Sequence, residues 1–318
     1  MDETPDVHLS VRETAERIAE MEIRGAATIA DAAAEALGTQ AVKADVESAD
    51  EFRDVLRAAA AELHDTRPTA VSLPNALRYV LSDLGGDDVE TLRRSIKRRV
   101  TRFRSDLDAA QARLGSIGAG RFTDGDTVMT HCHSTDSIAC IEAAVEAGVD
   151  LTAVVKETRP RNQGHITARQ LRDLDVPVTL IVDNAAHRFM DDVDHLLVGA
   201  DSIAADGSVI NKIGTAGLAV SARDRGVPII VAAQSIKLDP RTLTGGAVTI
   251  EERDPEEVIE ERTRDDIGDI DVANPAFDVT PPRHVDAIVT EHGQFPPESI
   301  VVLMRELFGE GVSEPWEA

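Results

Sequence analysis

Only two cysteines, Cys132 and Cys140, occur in the 318 residues, with seven residues between them. A pair so sparse offers neither a disulfide framework nor a metal knuckle. No apolar run approaches the ~20 residues that a membrane-spanning helix requires, and no segment repeats another. The opening Met1-Asp2-Glu3-Thr4-Pro5-Asp6 is acidic and lacks the basic-then-apolar order of a signal peptide. A reduced, cytoplasmic protein is the expectation. Lysine is also scarce, contributing five of the 33 basic residues.

Acid is plentiful: 58 Asp and Glu set a formal net charge of −25. Such a surface repels nucleic acid and anionic membranes, so neither is expected as a partner. Acid enrichment with lysine depletion matches adaptation to high salt, where screening makes a crowded acidic surface tolerable; an ordinary acidic protein is the alternative. Three of the five lysines, Lys156, Lys212 and Lys237, fall in segments that carry other signs of chemistry.

The length accommodates two domains and a core of normal size. Apolar residues recur at helical spacing from Ser10 to Leu37, and a further helix is predicted over Ala49–Leu63. Pro68 and Pro74 bracket a predicted loop, Arg67 to Asn75, after which helical spacing resumes. A long amphipathic helix is predicted over Asp88–Leu114, its Lys97-Arg98-Arg99 run reading as a solvated face. Gly115-Ser116-Ile117-Gly118-Ala119-Gly120 interrupts that pattern and separates an N-terminal helical domain, 1–118, from a C-terminal domain, 119–318. The glycines follow a helix and do not complete G-x-G-x-x-G, which argues against a dinucleotide site.

From Asp126 short apolar runs alternate with helices. Strands are predicted at Val128–His131, Thr152–Val155, Val178–Val182, His195–Gly199, Ile229–Ala232 and Val285–Val289. Helices fit at Asp136–Ala147, Thr167–Leu174, Ala185–Met190, Ile213–Arg225 and Pro297–Phe308. This alternation implies an α/β fold with a parallel, Rossmann-like sheet covered on both faces. Glu251–Asp271 reads as an acidic, helical surface excursion.

Ligands of such sheets bind beyond the carboxyl ends of the strands. Those ends carry Cys132-His133, the run Lys156 to Gly164, Asp183-Asn184, Asp201, and Gln234 to Lys237, with Asn211-Lys212 expected to open a following helix. Ser134, Thr135 and Asp136 look like N-cap residues, whose helix would present its positive end to Cys132 and draw the thiol pKa towards neutrality. The alternative is a small buried hydrophobe, the role expected of Cys140. His131 and His133 should point away from Cys132 if the strand continues, which disfavours metal ligation and leaves either as a candidate sugar or phosphate contact. Asp201, at the mouth of an apolar strand, is a candidate acid of raised pKa, or else a cap or turn residue. Asp206-Gly207 reads as a turn. Arg24 with Gly25, Arg67, Arg159, Lys212 and Lys237 are candidate anion-binding groups.

Arg24-Gly25-Ala26, Glu157 to Gly164, Gly199 to Gly207, Asn211 to Thr215 and Asn274 to Pro281 together resemble one superfamily. It comprises the translation initiation factor 2B regulatory subunits, the methylthioribose-1-phosphate isomerases and the ribose 1,5-bisphosphate isomerases. Thr130 to Ser134 and Arg159 to Thr167 look most like the last of these. The resemblance implies a helical domain followed by a Rossmann-like one, and assembly into homo-oligomers. It implies isomerisation of α-D-ribose 1,5-bisphosphate to ribulose 1,5-bisphosphate in nucleoside monophosphate (AMP) degradation, with no metal or redox cofactor and with a nucleotide as a possible activator. Residue by residue, it implies Cys132 and Asp201 as the catalytic pair, and Arg24, Gly25, Ala26, Ala27, Arg67, Asn211, Lys212 and Lys237 as substrate-binding positions. A methylthioribose-1-phosphate isomerase and a non-catalytic regulatory subunit are the alternatives within the superfamily.

If the acidic surface is a salt adaptation, the thermal midpoint rises as KCl is taken from about 0.1 M to about 2 M, because screening relieves self-repulsion. A melting series that stays flat or falls would refute that reading.

Overall fold

The computed structural model describes residues 6–67, 70–82, 84–308 and 314–317. The chain divides into two units, one comprising the described residues of Met1–Ala110 and Gly309–Ala318, the other Gln111–Phe308.

The first unit is helical. It contains α1 (Leu9–Ala19), α2 (Ala26–Lys43), α3 (Ala49–His64), α4 (Ser72–Leu81) and most of α5 (Val89–Ala119). Helical spacing from Ser10 to Leu37 is not one helix, because Met21 at φ 61° and Gly25 at φ 86° break it between α1 and α2. Ala30, Ala33, Ala34 and Ala41 are buried along α2, and these small side chains let α1, α3 and α4 pack closely around it. Ser48 and Glu51 form a reciprocal capping box at the start of α3. The predicted loop to Asn75 ends sooner than expected. Pro74 lies in the first turn of α4, where its missing N–H costs no helical bond; Pro68 lies outside the described residues.

The glycine-rich run that was expected to interrupt α5 is helical through Ala119. The reason is close packing within the second unit. A Cβ on Gly115 would stand 2.6 Å from the Ala139 carbonyl oxygen, and one on Gly118 would stand 2.3 Å from Cys140 Sγ. The glycines therefore admit the helix that carries Ala139 and Cys140, and Cys140 is buried there.

The second unit alternates β1 (Thr127–Thr130), α6 (Thr135–Glu146), β2 (Thr152–Lys156), α7 (Gly164–Asp173), β3 (Val178–Ile181), α8 (Ala186–Phe189) and β4 (His195–Val198). A short hairpin, β5 (Ser202–Ala204) and β6 (Val209–Lys212), precedes α9 (Thr215–Arg225), β7 (Ile229–Ala232) and β8 (Leu238–Asp239). Then come α10 (Glu261–Ile267), β9 (Phe277–Thr280), β10 (Ala287–Thr290), β11 (Gly293–Phe295) and α11 (Ile300–Phe308). The main sheet has the order β11-β10-β7-β4-β1-β2-β3. It is parallel apart from the antiparallel edge strand β11, so the α/β, Rossmann-like expectation holds.

Alternate residues of the inner strands β1, β2, β4 and β7 enter different cores. Met129, Val154, Leu196, Val198, Ile229 and Val231 join one cluster, while Val128, Ala153, Val155, Leu197 and Ile230 join the other. Both faces are dry along these strands, which is why they read as unbroken apolar runs; the edge strand β3 leaves Leu180 exposed. A second sheet, β8-β5-β6-β9, was not foreseen. Its strands are short, and the Asp206-Gly207 turn inside it does match the sequence: Asp206 accepts from Ser208 N–H at 2.9 Å, and Gly207 takes φ 81°.

Gly115→Ala is expected to lower stability by about 1–3 kcal/mol through overpacking against backbone, despite alanine's better helix propensity. Gly118→Ala should do likewise, but adding Cys140→Ala should recover most of that loss, since a side chain is the obstacle there. Thermal melts of the four variants (each single substitution and the double) check this; equal stability of Gly118→Ala and the double variant would contradict it.

Candidate active site

The strand order reverses at β1, which feeds β2 on one side and lies beside β4 on the other. Thr130 pairs with Leu197, so Cys132 and Asp201 leave the carboxyl ends of adjacent strands at the switch point. Gly199 permits this approach: a Cβ there would stand 2.4 Å from Ser134 Oγ. Ser134 caps α6 by accepting from Ser137 N–H at 3.2 Å.

β1 stops at Thr130, and Cys132 turns the chain with φ 68°. The strand alternation expected for His131, Cys132 and His133 therefore does not apply. A left-handed conformation costs an L-residue roughly 1–2 kcal/mol, and here it is held by bonds on both sides. Cys132 N–H donates to Thr158 Oγ1 at 2.9 Å, and Thr167 Oγ1 donates to the Cys132 carbonyl at 2.8 Å. Thr158 is itself at φ 65°, and its N–H donates to Asp183 Oδ1 at 3.0 Å. Asp183 also accepts from Arg159 N–H at 2.7 Å and stands 3.8 Å from Lys156 Nζ.

His131 completes the support. Its Nε2 lies 2.9 Å from the Ile213 carbonyl and its Nδ1 lies 3.2 Å from Thr158 Oγ1, so Nε2–H donates and Nδ1 accepts. Burial first, then the charge of Lys156, pushes His131 down to about 4. It is a neutral support at physiological pH. His133 Nδ1 lies 3.2 Å from Thr167 Oγ1.

The thiol differs from expectation. Burial pushes Cys132 up to about 11, and Asp201 adds to the rise; a hydrogen bond from His133 N–H and the charges of Lys212 and Arg253 oppose it. Asp201 moves as expected: the residue as a whole is exposed, yet desolvation by the protein packed around its carboxyl raises it against the pull of Lys237, Lys212 and Arg253. Each group thus holds its proton more firmly than in water.

The expected binding residues divide between the units. Asn211, Lys212 and Lys237 lie in the second, as Cys132 and Asp201 do. Asn211 and Lys212 do not open a helix; they end β6, opposite Asp278 and Phe277 of β9. Asn211 Nδ2 donates to Thr215 Oγ1 at 3.0 Å. Lys212 Nζ stands 5.1 Å from the centre of the Phe277 ring. Lys237 is paired with buried Asp136 at 2.7 Å, so its loss would strand a carboxylate, an uncompensated charge that typically costs about 3–5 kcal/mol.

Arg24, Gly25, Ala26, Ala27 and Arg67 belong to the first unit. Arg24 Nε donates to the Met21 carbonyl. Gly25 is the N-cap of α2, and Ala26 and Ala27 open that helix, so their amides face outward along its positive end, as an anion site requires. Arg67 follows α3, its N–H donating to the His64 carbonyl at 3.3 Å.

Sequence reasoning missed Thr158, Thr167 and Arg253. Thr158 lies within the run Glu157 to Gly164, but its left-handed backbone carried no sequence signal. Arg253 lay in the segment read as a surface excursion; much of Glu251–Asp271 is exposed, with one short helix.

The model of the Initiation factor 2 subunit family matches residues 22–297. The chain belongs to that family. A ribose 1,5-bisphosphate isomerase of Haloferax volcanii is 67% identical over 310 residues, covering 98% of this chain and 96% of that protein. Among solved structures, the Pyrococcus horikoshii translation initiation factor eIF-2B superposes with TM-score 0.77 at 30% identity, covering 92% of this chain and 99% of that one. The 5-methylthioribose 1-phosphate isomerase of the same organism gives TM-score 0.74 at 32% identity, covering 95% and 88%. The fold is thus shared by family members described as enzymes and as translation factors, and the side chains at the switch point must separate those roles.

In a Cys140→Ala background, Cys132 should react slowly with iodoacetamide near pH 7. A thiol pKa near 11 rather than 9.0 leaves about 100-fold less thiolate there. Asp201→Asn removes a negative charge that raises the thiol, so its alkylation profile should move to lower pH. A profile that moves upward or stays fixed would contradict the coupling.

Proposed function

We propose that this protein catalyses the conversion of α-D-ribose 1,5-bisphosphate to D-ribulose 1,5-bisphosphate. The observation that carries the reading is the Cys132–Asp201 pair at the switch point, with Lys212, Lys237 and Arg253 acting on it electrostatically. The closely similar Haloferax relative, described by this activity, supports it. A translation-factor subunit has no need of a half-buried thiol coupled to a carboxyl.

The anomeric phosphate blocks spontaneous ring opening, so the ring oxygen must gain a proton as its bond to C1 breaks. Asp201, with its raised pKa, supplies that proton. Cys132, in the minor thiolate form that Lys212 and Arg253 favour, removes the proton from C2, the C2–H electrons form the C1=C2 bond, and an enol phosphate results. Asp201 carboxylate then takes the O2 proton while Cys132 returns a proton to C1. Both groups end as they began, and the product carries a ketone at C2 and a phosphorylated CH2 at C1. Each proton transfer contributes roughly 10²–10⁴ in rate.

Arg24, Gly25, Ala26, Ala27, Arg67, Asn211, Lys212 and Lys237 serve as the substrate-binding positions, within a domain organisation of 1–118 and 119–318. The reaction belongs to AMP degradation in the cytoplasm, in a homo-oligomer open to nucleotide activation. Among the described residues no helix is long and apolar enough to cross a membrane.

In high-potassium buffer the protein should form ribulose 1,5-bisphosphate. Cys132→Ser and Asp201→Asn should each abolish turnover while substrate binding by calorimetry is largely kept. Turnover of methylthioribose 1-phosphate in preference would transfer the assignment to that isomerase. Binding to a translation factor with turnover of neither sugar would favour the regulatory role, and full activity in both variants would remove the pair from the mechanism.

A further inference from the structure

One cation near the reacting pair is absent from the expected binding set. Arg253 is largely buried and held from three directions. Its Nε donates to Glu251 Oε1 at 3.2 Å, its backbone N–H donates to the Asn274 carbonyl at 2.9 Å, and its guanidinium carbon stands 5.5 Å from the centre of the Phe277 ring. Among the described residues its terminal nitrogens donate to no protein acceptor, which leaves the fork of the guanidinium for a ligand.

Lys212 shares the same ring. It is 6% exposed, and among the described residues its Nζ donates to no acceptor. The β6–β9 pairing places Lys212 opposite Phe277, so the backbone register fixes this cation on the phenyl group. Two positive charges are therefore stacked on one aromatic residue, close enough that Arg253 depresses Lys212, after burial. On a chain of net charge −25, placing like charges together in a largely buried setting needs compensating anions. Glu251 supplies one negative charge to the pair, which leaves one positive charge for a bound anion to meet.

We propose that Arg253 is a further substrate-binding residue, which with Lys212 grips the phosphate on C1 of the sugar. This rests on the isomerase reading, and the choice of phosphate follows from it. Arg253 and Lys212 are among the charges acting on Cys132, Cys132 addresses C2, and the neighbouring phosphate is the one on C1. A guanidinium there binds two phosphate oxygens at once. It also offsets the repulsion between that dianion and the thiolate, so the same residue serves binding and ionisation.

Arg253→Gln and Arg253→Lys are compared with the wild type, all as full chains carrying Cys140→Ala, after melts establish which fold. Arg253→Gln should lower kcat/KM for ribose 1,5-bisphosphate by about 10–100-fold, the range expected for a lost charge-assisted hydrogen bond, mainly through KM. Its Cys132 alkylation profile should move to higher pH, because a cation that favours the thiolate is gone. Arg253→Lys should lose affinity through the missing fork while keeping the alkylation profile near wild type, and it carries the binding test should Arg253→Gln not fold. Unchanged kcat/KM in a folded variant would overturn the proposal. A wild type that turns over no ribose 1,5-bisphosphate would sink the isomerase reading and the C1-phosphate assignment with it. The alkylation profiles would then still decide whether Arg253 acts on the thiol, separating the two failures.

Discussion

The hydrogen bond from Cys132 N–H to Thr158 Oγ1 holds a backbone turn that an isolated chain would avoid. It joins the end of β1 to the loop after β2, and through Thr158 it reaches His131, Asp183 and Lys156. His131 adds the loop before α9 through the Ile213 carbonyl. Four loops at the carboxyl edge of the sheet are thereby fixed relative to one thiol. A left-handed residue persists only where its surroundings over-determine it, and donors and acceptors on both sides of Cys132 meet that condition.

Charge is distributed on the same plan. The chain as a whole is strongly acidic, yet Lys212, Lys237 and Arg253 act together on Asp201, and two of them act on Cys132. Each cation has its own restraint: Lys237 on Asp136, Lys212 on the Phe277 ring, and Arg253 between Glu251 and that ring. An acidic exterior with restrained interior cations focuses an anionic substrate while discouraging polyanions elsewhere. Burial works in the opposite direction at the reacting groups, raising both the thiol and the carboxyl. Proton transfer then depends on what the cations and an incoming phosphate do to that balance.

Much of the second unit was legible because its signal is local. Strands buried on both faces must be apolar throughout, and the runs at Val128, Thr152, His195 and Ile229 announced the parallel sheet. The two cores confirm the physical cause, since neighbouring residues such as Val128 and Met129 enter opposite clusters. Non-local causes were not legible. Gly115 and Gly118 looked like a helix break, but their role is to admit the backbone at Ala139 and the Cys140 side chain. Asn211 and Lys212 looked like a helix start, but β9, some seventy residues on, draws them into a strand. Arg253 sat in an acidic stretch whose local composition pointed outward.

By itself the sequence determined the class of fold, the polar groups at the strand ends, and Cys132 and Asp201 as the residues to watch, because periodicity and residue type act over a few neighbouring positions. Tertiary structure decided the direction of the thiol's ionisation, the neutrality of His131, the restraint of each cation and the stacking of Arg253 beside Lys212 on the Phe277 ring. Those depend on desolvation and on charges brought together from distant segments, and both arise only when the sheet has closed its two cores.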